Sequence, residues 1–115
     1  MNKIFASLVA VAAAALSFNA YAGGNIEAGK ALAHKTCVAC HGADFNTPID
    51  PAYPKLAGQP QDYLEHALRA YQRGTGPNSR NNAIMGAQVK ELKRQDIQDI
   101  AAYLHSLQGS LVLRK

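Results

Sequence analysis

Apolar positions return at helical intervals in three stretches of the chain, separated by segments dense in proline, glycine and asparagine. In the first, Ile26, Gly29, Leu32 or Ala33, and Thr36 share one face while Lys30 and His34 fall on the other, which predicts a helix over Ile26–Thr36. Asn25 stands where an N-cap is wanted, and Glu27 in the first turn suits the helix dipole. In the second, Tyr63, Leu64, Ala67, Leu68 and Tyr71 form the stripe. Pro60 at its start, Asp62 and Glu65 early, Arg69 and Arg73 late, and Gly74 as a stop predict a helix over Gln61–Arg73. The third is the clearest: Ile97, Ile100, Ala101, Leu104 and Leu107 give a helix over Lys93–Gln108, ended by Gly109. Its beginning is untidy, because Lys93 occupies the cap position and Arg94 adds a second cation at the positive end of the dipole. Asp96 and Asp99 compensate in part.

Between these stretches the chain reads as loop. Pro48, Pro51, Pro54 and Gly58 exclude a long helix or central strand from Gly42 to Gln59. A connection of that length is unusual in a small domain unless it wraps around something. Gly74 to Ala83 is rich in turn formers and amides, which places it on the surface. It ends at Ile84-Met85-Gly86, with Met85 expected in the loop and a short helical turn over Ala87–Glu91. The tail from Ser110 is expected to be loose or to tuck in Leu111 and Leu113. No stretch alternates like a strand, so the expected fold is all-α, with three main helices and long loops in one domain over residues 23–115.

The first residues have a different character. Lys3 is followed by the uncharged apolar run Ile4–Leu16, and Ala20-Tyr21-Ala22 has the small-x-small form of a cleavage site. That is the pattern of a secretory signal over residues 1–22, cut after Ala22. The apolar run is shorter than the ~20 residues a spanning helix needs, so no stable membrane insertion is expected after cleavage. The expected compartment is the periplasm.

Charge changes the picture little. The formal net charge is +4, from 12 Lys and Arg against 8 Asp and Glu, and Lys3 leaves with the signal. No run of basic residues is interleaved with aromatics, so no nucleic-acid partner is expected.

The candidate chemistry lies in Cys37-Val38-Ala39-Cys40-His41, which holds both cysteines of the chain. A disulfide between them would close a loop too short to staple a fold. A zinc site would want two further paired ligands, which His34, His66 and His105 do not supply, and a redox dithiol would want a βαβ context. Two thiols at this spacing with a histidine directly after them form the attachment signal for c-type haem. Each thiol adds across one vinyl group of the porphyrin, and His41 is left beneath the iron as an axial ligand. Met85 is the one methionine besides Met1. A thioether suits the softer ferrous iron and raises the potential, which makes Met85 the candidate for the other axial position, the competitors being His66, His105 and an open sixth position.

With these residues in place the chain resembles a class I cytochrome c, more narrowly the small, single-haem, periplasmic bacterial type of cytochrome c-553, and one half of the two-domain dihaem periplasmic cytochromes. The resemblance is carried by Gly29 through Cys37-x-x-Cys40-His41, Tyr53-Pro54-Lys55-Leu56-Ala57-Gly58-Gln59, Ile84-Met85 with Leu92 beyond, and Ile100-Ala101-Ala102-Tyr103-Leu104. It implies one haem c held by Cys37 and Cys40, with His41 and Met85 as iron ligands and Pro54 and Leu56 as further haem-site residues. The Pro54 carbonyl would accept a hydrogen bond from the second ring nitrogen of His41. Gly29 and Tyr103 would mark the crossing of the first and last helices, an aromatic ring fitting where a side chain is missing. Two positions depart from the pattern. Ala33 stands where many members have an aromatic, leaving Leu32 to fill the crossing, and Lys93 stands where the last helix is usually capped by Ser or Thr.

The expected function is one-electron transport between Fe(II) and Fe(III), with no substrate bond made or broken and hence no enzyme activity. The partners are then redox proteins: an upstream quinol-oxidising or dehydrogenase donor and a downstream oxidase or reductase acceptor, met by a monomer. One alternative is a haem-bearing electron-transfer subunit of a larger dehydrogenase or reductase complex. Another is a five-coordinate sensor or peroxidase-like enzyme, against which Met85 argues. One of Arg80, Asn81 and Asn82 either holds a haem propionate or the methionine sulfur, or all three lie in a solvated loop. Lys90, Lys93 and Arg94 either steer an acidic partner or simply solvate a helix start.

Overall fold

The computed structural model describes residues 23–110. The proposed signal segment and the expected tuck of Leu111 and Leu113 lie outside them. Five helices follow one another: α1 (Ile26–Thr36), α2 (Val38–His41), α3 (Gln61–Arg73), α4 (Ala83–Val89) and α5 (Arg94–Ser106). No strand occurs among the described residues.

α1 and α3 have the bounds their caps dictate. Asn25 accepts the Ala28 N–H through its side chain, and the Gly74 N–H closes α3 on the Ala70 carbonyl. The last helix starts at Arg94, one residue later than Lys93, and stops at Ser106, short of Gln108. Its missing cap is made good from inside: the Asp96 carboxylate accepts the Lys93 N–H at 2.8 Å. An acid three residues in thus does the half of a capping box that needs no hydroxyl.

α1 and α5 form the frame of the domain. They cross where Gly29 lies flat against the Asp99–Ile100 backbone; a Cβ there would sit 1.8 Å from the Asp99 carbonyl oxygen. What the missing side chain admits is therefore the partner's main chain, not the ring of Tyr103, which sits one turn further along. Asp99 is 6% exposed, and its Oδ1 accepts the Asn25 N–H at 2.7 Å and a Gln95 amide N–H at 2.8 Å. A buried carboxylate is tolerable because it holds two donors.

The space beside Ala33 is filled by Phe45, fully buried and packed in one cluster with Ala33, Ile100, Ala101, Tyr103 and Leu104, while Leu32 lies at the cluster's edge. Phe45 meets Tyr103 edge to face at 5.8 Å between centroids. His34 is exposed, as its outer-face position implies, yet its ring meets Phe45 edge to face and its Nε2 is 2.9 Å from the Tyr103 hydroxyl.

Phe45 reaches this place from a loop at positive φ (56°). Asp44 shapes the turn, accepting N–H groups of Asn46 and Thr47 at 2.9 and 2.8 Å and the Thr47 hydroxyl at 2.8 Å. Those bonds, the Asn46 backbone first and the Thr47 hydroxyl next, hold the Asp44 carboxyl below its ordinary value. The folded chain therefore favours the carboxylate. Its stabilising contribution is complete above the ordinary carboxylate range and is lost as pH falls through the lowered value. Asp44→Asn is expected to lower stability at neutral pH and to flatten the acid limb, the two profiles converging at low pH; unfolding curves from pH 7 down to acid check this.

Candidate functional site

Cys37 is both the last residue of α1's hydrogen-bonded run and the N-cap of α2, its N–H donating to the Ala33 carbonyl at 2.8 Å. The four-residue α2 turns the Cys37-x-x-Cys40-His41 segment back on itself, and the Cys40 and His41 N–H groups both close on the Cys37 carbonyl. Both cysteines are free thiols and partly buried. Burial pushes the Cys37 thiol above its ordinary value; the Thr36 hydroxyl, 3.5 Å from the sulfur, opposes the shift, and Cys40 adds to it. A thiol so placed stays protonated at neutral pH and is a sluggish partner for disulfide formation.

α2 ends at Gly42, whose φ of 87° and whose contact with the Thr47 carbonyl, 2.2 Å from a notional Cβ, admit no side chain. His41 immediately before it is 5% exposed. Its Nδ1 lies 2.9 Å from the Pro54 carbonyl oxygen. A carbonyl can only accept, so Nδ1 carries the proton and the lone pair is left on Nε2. The loop from Gly42 to Gln59 makes this pairing. The Ile49 N–H donates to the Cys40 carbonyl, the Leu56 and Ala57 N–H groups share the Phe45 carbonyl, and the Gly58 N–H reaches the Leu104 carbonyl on α5. Leu56 packs against the edge of the core cluster. Tyr53 stands beside the His41 ring, 6.2 Å between centroids.

Met85 is not in a loop. It is the third residue of α4, which begins at Ala83 and ends at Val89, earlier than the turn expected over Ala87–Glu91. Asn82 is the N-cap: its Oδ1 accepts the Met85 N–H at 2.9 Å. The Asn82 side-chain oxygen therefore acts on the backbone of Met85. Arg80 lies over two rings of α3, 5.6 Å from the centroid of Tyr63 and 5.3 Å from that of Tyr71, and a guanidinium N–H points to the Tyr63 hydroxyl at 3.3 Å. Asn81, Lys90, Lys93 and Arg94 are exposed.

The other histidines are occupied elsewhere. His105 Nδ1 donates to the Gln59 carbonyl at 2.8 Å. His66 lines an open cavity of about 650 Å³ with Tyr63, Arg73 and Arg80, whose walls include neither His41 nor Met85. Among the described residues no three His, Cys, Asp or Glu side chains gather to hold a metal ion. Two reduced thiols, an imidazole with its proton fixed on one nitrogen and a thioether on a capped helix make a donor set suited to a covalently held haem.

The sequence profile of the family described as cytochrome c matches residues 26–108. The chain belongs to the cytochrome c family. Membership implies a covalent haem c, and Cys37-x-x-Cys40-His41 is the segment of attachment type. A cytochrome c4 from Stutzerimonas stutzeri is 38% identical over 116 residues, covering 96% of this chain and 53% of the relative. Cytochrome c-554(548) from Halomonas halodenitrificans is 45% identical over 71 residues, covering 62% of this chain and 83% of the relative. The crystal structure of reduced recombinant cytochrome c4 from Pseudomonas stutzeri matches with a TM-score of 0.65 at 38% identity, over 76% of this chain and 48% of that one. The all-helical architecture is thus the cytochrome c fold. The chain spans about half the length of the cytochrome c4 relatives it matches.

Proposed function

We propose that this cytochrome c chain is a periplasmic one-electron carrier, with a single haem c bound through Cys37 and Cys40 and with His41 and Met85 as axial ligands. When bound, the haem supplies one reversible Fe(II)/Fe(III) couple. The observation that carries the reading is the buried His41 imidazole, its Nδ1 proton given to the Pro54 carbonyl. That bond fixes the tautomer, leaves the Nε2 lone pair free to bind and makes the ring a stronger donor. Asn82 holds the first turn of α4, so the thioether of Met85 is presented from an ordered backbone. Leu56 packs at the edge of the same core cluster as Cys37 and Val38 of the attachment segment. His41 and Met85 would hold the iron between them, leaving small ligands no place to bind, and the chemistry supplied would be electron transfer alone. The chain then makes and breaks no substrate bond.

The periplasmic assignment rests on the signal pattern of residues 1–22. No helix among the described residues is long and apolar enough to cross a membrane. The partners on this reading are redox proteins: a quinol-oxidising or dehydrogenase donor and an oxidase or reductase acceptor, met by a monomeric carrier. A second reading makes the chain a haem-bearing subunit of a larger dehydrogenase or reductase. It is favoured by Ile84, 54% exposed directly before Met85, which a permanent partner would cover. Co-purification of a second chain from the native source decides between the two.

Met85→Ala tests the ligation. The reduced variant is expected to bind carbon monoxide where the parent does not, and the ferric variant to lose the sulfur-to-iron charge-transfer band at the red end of the spectrum. Its potential should fall by a sizeable part of the ~0.8 V that axial-ligand identity spans. Carbon monoxide binding by the reduced parent would refute the reading.

A further inference from the structure

Gln72 has no part in the chemistry above, yet it makes two bonds of one kind to one place. Its Nε2 lies 2.8 Å from the Val89 carbonyl oxygen and 2.8 Å from the Leu92 carbonyl oxygen. An amide NH2 has two protons, so each carbonyl receives one; the flipped amide would set its own oxygen against two others. Val89 is the last residue of α4 and Leu92 closes the turn into α5. The Val89 carbonyl at the C-terminus of α4 also takes the Leu92 N–H at 3.1 Å, and the Leu92 carbonyl lies in the turn beyond; the Gln72 side chain of α3 gives each a donor from a second element.

The effect on Met85 follows from the length of α4. A helix of 7 residues does not persist in water by itself. It is held at its start by Asn82 and at its end by the buried Val89 side chain and by Gln72. Release of the last of these lets α4 lift from α3, and Met85 rides on α4. We propose that Gln72 is a positioning residue for the distal ligand: it pins the C-terminal end of α4 to α3 and so sets how often the Met85 sulfur leaves the iron. This rests on the Met85 reading of the site.

The experiment uses the ferric holoprotein, and imidazole as the displacing ligand. The rate at which imidazole replaces the sulfur reports local opening of α4, and the urea midpoint reports global unfolding. Gln72→Glu puts a carboxylate with no proton against two carbonyls; Gln72→Met keeps the stem and packing without a donor and serves should the first fail to fold. Loss of two hydrogen bonds is expected to speed displacement by roughly tenfold or more, with the sulfur band still present and the urea midpoint little changed. An unchanged displacement rate overturns the proposal. So does a faster rate that only tracks a loss of global stability, because Gln72 would then be an ordinary structural residue. Absence of the sulfur band in the parent overturns the Met85 ligation and this inference with it. A band in the parent with equal rates in the variants overturns this inference alone.

Discussion

A chain carrying Cys37→Ala and Cys40→Ala is expected to hold no covalent haem and to lose most of its helix. The reason is the make-up of the interior. Of the twelve buried hydrophobic residues described, five are alanines, and the largest fully buried side chains are Phe45, Ile97 and Ile100. A core that slight is marginal in a domain of this size. Much of what remains is loop: Gly42 to Gln59 is tied down by a few backbone bonds to Phe45, Cys40 and Leu104. The apolar faces of Leu56, Leu68 and Leu92 are only partly covered by protein. A haem bound through Cys37 and Cys40 would supply the missing contact surface, and the two thioethers would keep it there. Far-ultraviolet circular dichroism of the double variant checks this; a helix signal like that of the parent would mean that the polypeptide folds on its own.

Gly29→Ala is expected to be the most damaging single methyl in the molecule. The new Cβ would lie 1.8 Å from the Asp99 carbonyl oxygen and 2.3 Å from its carbon. Both are main-chain atoms in the middle of α5, so no side chain can swing aside. α1 and α5 must separate, which also loosens the Asn25–Asp99 bond and the His34–Tyr103 contact on either side of the crossing. Overpacking of a tight core costs about 1–3 kcal/mol, and a clash against fixed backbone belongs at or above the top of that range. Urea unfolding of the ferric holoprotein measures it. A loss under about 0.5 kcal/mol, the size of an ordinary surface substitution, would show that the crossing is slack.

The outcome for each element follows from the kind of signal it leaves in sequence. α1 and α3 carry caps and a stop at their own ends, and their bounds are read without error. α4 hides because it follows Asn81-Asn82 at the end of a turn-rich stretch and because Gly86 sits inside it, so local composition argues for loop. The cue was Asn82, an N-cap with an apolar turn behind it, and it is the same residue that orders Met85. Phe45 could not be found by periodicity, since it enters the core from a turn that Asp44 builds. Asp99 is the converse: the sequence offers it as a partial offset to Lys93 and Arg94, whereas it is buried and accepts the Asn25 N–H. The pairing of His41 with the Pro54 carbonyl is a long-range contact that no spacing rule yields; the resemblance to class I cytochromes suggested it, and the structure has it at 2.9 Å. Gln72 left no signal, because a glutamine on the polar side of a helix reads as solvated.

The most direct test of the whole account is a spectrophotometric redox titration of the purified chain. The account predicts a c-type haem that resists extraction, a sulfur-to-iron band in the oxidised form, and a single one-electron step with no change on adding carbon monoxide to the reduced form. A haem that can be extracted, or a reduced spectrum that shifts under carbon monoxide, would contradict it.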